Sequence, residues 1–183
     1  MTDPIVIPDA TAHPAEYVTA LLHTLGDRDP LEVLERTPGT VRRLCEGLDD
    51  AAWRRPMAAG EWSALQVVGH LFDVDVVYGF RWRLALTEDA PAYPGYDEKA
   101  WSGLARPAPP QLVDALAALR EANTALLRSL GERDLRRTAV HAEQGSEDVR
   151  RMIDKVGGHD LAHLDQLERT VAAARSAAER RHG

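Results

Sequence analysis

The chain has 183 residues, and 22 basic against 29 acidic side chains leave a net charge of −7. That acidic balance excludes a protein that coats nucleic acid through a basic stripe, and the single cysteine, Cys45, excludes a disulfide framework or a cysteine-rich metal cluster. With no apolar run near the ~18 residues that span a bilayer and no visible signal peptide, we expect a single cytoplasmic domain over residues 1–183, without nucleic-acid or membrane partners.

Alanine occurs 28 times and arginine 20 times, against two lysines, Lys99 and Lys155. Alanine and arginine both form helices well, and alternating Val/Ile runs are scarce, so an all-α fold follows. Residues 1–28 read as an N-terminal extension with one short helix, Ala15–Leu25, ended by Gly26. Asp29-Pro30 and Thr37-Pro38 each resemble a cap followed by a first-turn proline, which gives one kinked helix or two short ones up to about Leu48.

Ser63 with Gln66 forms a capping box, and the helix it opens should run from Ala64 to Leu86. Residues 88–110 hold Pro91, Pro94, Pro107, Pro109 and Pro110 and form a long loop, with one turn expected around Tyr96–Trp101. A third long helix follows over Gln111–Leu130. A polar connection over 131–146 leads to a last helix from Glu147 to about Ala178, capped near Ser146, and residues 179–183 form a frayed tail. Long connections between four main helices predict a four-helix bundle with crossover loops.

The histidines carry the chemistry. His159 and His163 lie four apart on the last helix, so both rings leave one face, a spacing that lets two imidazoles share a metal ion. The helical phase set by Ile153, Val156, Leu164, Leu167 and Val171 puts His163 inside the apolar stripe and His159 on its edge. Asp160 falls in the middle of that stripe, where an unbonded carboxylate is costly. Gly157-Gly158 allows close approach of either a neighbouring helix or a ligand.

The helix from Ala64 is apolar on nearly every side, yet Gln66, His70, Asp73 and Arg81 share one narrow stripe. The stripe faces either a hydrogen-bond network or a metal. His70, His159 and His163 together make a three-imidazole set that leaves open positions on Zn²⁺ or Ni²⁺, the arrangement of a catalytic site. Asp73 or Asp160 could orient an imidazole, and Gln166 could do so for His163. Arg81, about three turns past His70, holds either the anionic end of a long substrate or a structural ion pair. Cys45 reads as core, and Asn123 as a pocket border or a bridge between helices.

Gly60-Glu61-Trp62-Ser63, Val67-Val68-Gly69-His70-Leu71-Phe72-Asp73 with Arg81, and Gly158-His159-Asp160-Leu161-Ala162-His163-Leu164-Asp165-Gln166-Leu167 resemble the DinB/YfiT-like superfamily. So do the loop Ala90–Trp101 and Thr138-Ala139-Val140-His141; the likeness spans about residues 29–170. Glu147-Asp148 depart from the helix start expected there. The resemblance implies an up-up-down-down four-helix bundle, commonly dimeric, with one divalent metal on His70, His159 and His163.

It also implies two chemistries on a small-molecule substrate. One is transfer of a low-molecular-weight thiol such as bacillithiol, mycothiol or glutathione to an electrophile, in detoxification or stress response. The other is metal-dependent hydrolysis of an amide or ester. The expectation is the S-transferase; a hydrolase, or a metal-binding stress protein without turnover, is the alternative.

Overall fold

Helix α1 (Pro14–Leu25) leads into α2 (Pro30–Leu44), which opens on Asp29, whose carboxylate accepts the Leu31 and Glu32 N–H groups. These come from the computed structural model, which describes residues 4–182 of the chain. Thr37-Pro38 does not split the region: α2 is one helix with Pro38 inside it. A short α3 (Asp50–Trp53) follows. The expected capping box is present on α4 (Ala64–Thr87), where Ser63 and Gln66 bond reciprocally. Two prolines open α6 (Pro109–Arg128), and the chain closes on α8 (Val149–His182).

The segments read as connections hold more structure than their composition indicates. Within residues 88–110 lie the strand β1 (Ala92–Tyr93) and the short helix α5 (Glu98–Ser102). The stretch 131–146 forms the turn α7 (Glu132–Leu135), then β2 (Thr138–His141), which pairs with β3 (Gly145–Asp148). The helical class and the four-helix bundle hold, and the connections add a small sheet of order β1-β2-β3, parallel then antiparallel.

Tertiary pairing makes these strands: Tyr93 sits in register with His141, and His141 with Gly145, whose positive φ closes the hairpin. Ser146 lies in β3 and cannot cap α8. Asp148 does so, accepting the Arg151 N–H at 2.8 Å, so the helix starts two residues later than expected. It also runs through the residues read as a frayed tail, to His182; Gly183 lies outside the described residues.

Four long helices, α2, α4, α6 and α8, make a four-helix bundle in which α6 packs on α2 and α4, and α8 packs on the same two. Helix α1 lies along α8. Gly158 is why it can, since a Cβ there would stand 2.0 Å from the Leu21 carbonyl oxygen. The Gly157-Gly158 pair is thus a notch for a neighbouring helix.

Two apolar clusters fill the interior. One gathers Val41, Leu65, Val68, Leu71, Leu112, Leu116, Leu167 and Val171; the other gathers Leu34, Val74, Trp82, Leu127, Met152, Ile153 and Val156. Between them α4 contributes His70, Asp73 and Asp75, α6 contributes Arg120 and Asn123, and α8 contributes His159 and Asp160, all as a polar layer. No described helix is long and apolar enough to cross a membrane.

Candidate metal centre

The Ser63 cap fixes where α4 begins, and two turns on that helix carries the His70 ring into the interior. There it meets the rings of α8. Nε2 of His70 lies 2.9 Å from Nε2 of His159, and ring nitrogens of His70, His159 and His163 all fall within 4.8 Å of one another. His70 and His159 are buried and His163 is partly exposed. Trp62, just before the cap, packs its indole 4.9 Å from His70 and nearly parallel to His163.

This packing favours the neutral imidazole at His70 and at His163. Burial, with His163 and His159 alongside, holds His70 well below the ordinary imidazole range. Burial and His159 bring His163 down to about 3, against the opposing hydrogen bond to Gln166. Neutral imidazole is the form that ligates a metal.

The Nδ1 atoms of His70 and His159 are both buried without a partner among the described residues. On the other side of each ring the two Nε2 atoms face each other at 2.9 Å and can share only one proton between them. Converging imidazole lone pairs suit a cation better than they suit one another. His163 has its Nδ1 2.8 Å from Gln166 Oε1, so with the ring proton on Nδ1 its Nε2 is free to ligate.

Behind these rings stands a charged wall that the sequence pattern did not disclose. Arg120 donates to Asp75 at 2.7 Å, to Asp160 at 2.5 Å and to the Leu34 carbonyl at 3.1 Å. A residue of α6 thereby ties together α4, α8 and α2. Burial raises the Asp160 carboxyl, but Arg120, with His159 beside it, outweighs that and brings it to about 2. Two carboxylates sharing one guanidinium leave a formal charge of −1 behind His159, favourable to a bound cation.

The candidates for orienting the imidazoles divide. Asp160 lies 3.9 Å from His159 Nδ1, beyond hydrogen-bond reach, and is held by Arg120. Asp73 does not reach His70; it is chelated by Arg106 at 2.7 and 2.5 Å, and Gly69 gives that guanidinium room to lie on α4. Gln66 is taken up by the cap, and Arg81 bonds the Pro94 carbonyl. Asn123 bridges α6 to Asp75 on α4, and Cys45 is core, with burial pushing its thiol up to about 12.

Sequence reasoning missed Arg120, Arg106 and Asp75. Each is a charged residue whose partner lies 33 to 45 residues away, and no local periodicity marks such a pair. A cavity of about 550 Å³ reaches His159 and is also lined by Tyr78, Arg81, Tyr96, His141 and Lys155.

Residues 33–167 match the model of the DinB superfamily. The chain belongs to the DinB superfamily. Among relatives, "Putative metal-dependent hydrolase YfiT" of Bacillus subtilis is 32% identical over 150 residues, covering 77% of this chain and 83% of the relative. A protein of Oceanobacillus iheyensis carrying the same metal-dependent hydrolase name is 31% identical over 139 residues, covering 73% and 81%. The solved structure of YfiT, described as having an unusual four-helix bundle topology, superposes with a TM-score of 0.72 at 29% identity, over 81% of this chain and 86% of that one. In this DinB chain the three imidazoles come from α4 and α8, the helices that hold the motifs resembling the family.

Proposed function

We propose that this DinB protein is a metalloenzyme acting on a small molecule. It holds one zinc or nickel ion through His70, His159 and His163 and transfers a low-molecular-weight thiol to an electrophile. One observation carries the reading: ring nitrogens of three imidazoles within 4.8 Å of one another, beside a cavity that opens onto His159. A divalent ion there would supply Lewis acidity and a nucleophile near neutral pH.

The chain's own groups orient the rings. With its ring proton on Nδ1, His163 donates to Gln166 Oε1, and that bond fixes the ring's tautomer. Trp62 packs against His70 and His163 and limits the motion of both rings. The Asp75–Arg120–Asp160 wall keeps α8 in register with α4 and places a carboxylate near His159. Hydrolysis of an amide or ester is the second reading, supported by the name that YfiT and its Oceanobacillus counterpart carry.

The test is elemental analysis of protein purified without a chelating column, beside His159→Ala. About one zinc or nickel per chain, absent from the variant, is expected. Loaded protein is then given a thiol with 1-chloro-2,4-dinitrobenzene, and separately a panel of nitrophenyl esters and anilides. A thiol conjugate found by mass spectrometry supports transfer, and release of nitrophenol or nitroaniline without thiol supports hydrolysis. No metal after reconstitution would overturn both and leave a binding protein without turnover.

A further inference from the structure

The cavity beside the histidines contains a buried cation that no acid among the described residues neutralises. Arg81 is 4% exposed, and its guanidinium makes one hydrogen bond among the described residues, from Nη2 to the Pro94 carbonyl at 2.8 Å. The other deeply placed cations are all paired: Arg106 with Asp73, Arg120 with Asp75 and Asp160, and Lys155 with Glu147 at 2.5 Å. Arg81 is instead flanked by two rings, its guanidinium carbon 4.6 Å from the centre of Tyr93 and 5.1 Å from that of Tyr78. Ring faces offset part of the cost of burying a charge but occupy none of a guanidinium's five N–H donors.

The lining around Arg81 has the same sense. His141 accepts the Glu143 N–H on Nδ1 at 3.1 Å, which places its ring proton on Nε2 as a donor. Burial, then Arg81 and Lys155, hold that ring neutral down to about 4. The acids that line the cavity, Asp9, Asp97, Glu98 and Glu143, are all exposed, so water screens them at the mouth. Leu21, Val74 and Val156, with the ring of Tyr78, add apolar surface to the same lining, which also includes His159.

We propose that this cavity binds an organic anion whose terminal carboxylate is gripped by Arg81 and whose apolar or aromatic body extends toward His159. The eleven residues from His70 to Arg81 separate their Cα atoms by roughly 16 Å along α4, so the carboxylate is a handle and not the reacting group. What happens at the His159 end rests on the metalloenzyme reading; the carboxylate grip does not.

The probes are 5-phenylvalerate and its neutral isostere 5-phenylvaleramide, titrated calorimetrically into metal-loaded and EDTA-stripped protein. The acid is expected to bind about tenfold tighter than the amide in both forms, as a charge-assisted hydrogen bond warrants. Arg81→Gln should abolish that preference, and Arg81→Lys, which keeps a charge but not the fork, should retain part of it. Equal affinities, or no binding of the acid to stripped wild-type protein, overturn the proposal without any variant. An acid preference present only in loaded protein and untouched by Arg81→Gln means that the carboxylate ligates the metal, and overturns it too.

Circular dichroism checks the fold of each variant; should Arg81→Gln not fold, Arg81→Lys and the wild-type comparison decide. Elemental analysis separates the two readings. Full metal content with no acid preference sinks this one alone, and an acid preference in protein that keeps no metal sinks the other alone.

Discussion

Pro38 cannot donate to the carbonyl of Leu34, four residues before it in α2, and Arg120 donates to that oxygen instead, from across the bundle at 3.1 Å. A helix-breaking residue thus opens an acceptor at the bundle centre, and a guanidinium already committed to two carboxylates closes it. The kink-prone proline and the buried arginine are two halves of one interaction.

Arg120→Leu should therefore destabilise the protein strongly, because it strands Asp75 and Asp160, both fully buried, with no cation. Breaking a buried ion pair from one side costs about 3–5 kcal/mol. The triple change Arg120→Leu, Asp75→Leu, Asp160→Leu should recover much of this, since it leaves no unpaired charge. Urea unfolding of the three proteins measures it; an Arg120→Leu midpoint equal to wild type would show that the network contributes nothing.

Gln166→Leu removes the acceptor on His163 Nδ1 while leaving all three imidazoles. Metal affinity should fall by about 10–100-fold with the fold intact. Competition with a chromophoric chelator gives the ratio. Undiminished affinity would mean that His163 needs no help in choosing its tautomer.

In metal-free protein, stability should fall as pH drops below about 6.5. Burial and the neighbouring cations put His141 at about 4, and burial with His159 puts His163 at about 3. Between those values and the unfolded one, the unfolded chain binds protons that the native chain refuses. Stability is accordingly complete above about 6.5 and is lost toward acid, at up to about 1.4 kcal/mol per pH unit for each such ring. Urea midpoints of EDTA-stripped protein at several pH values between 7.5 and 4.5 provide the check, and a flat profile would contradict it.

Gly158→Ala should loosen α1 from α8. The added Cβ meets the Leu21 backbone oxygen at 2.0 Å, and backbone cannot swing aside as a side-chain tip can. Overpacking of this kind costs about 1–3 kcal/mol. Thermal melting and hydrogen exchange in residues 14–25 read the effect; a variant as stable as wild type would show that α1 docks loosely.

The sequence by itself determined the long helices, the Ser63 capping box and the three histidines. These depend on spacing within one element, which side-chain periodicity and cap chemistry register directly. It also narrowed the Gly157-Gly158 pair to a packing notch or a ligand approach. Only the tertiary structure decided that notch, the three-stranded sheet and the ion pairs. Strands as short as Ala92–Tyr93 have too few residues to show a period and exist because β2 pairs with them. Asp73 and Asp160 were legible as misplaced charges on buried faces. Their partners, Arg106 and Arg120, lie 33 and 40 residues away on the chain, and only the packed bundle brings a charge and its counter-charge together.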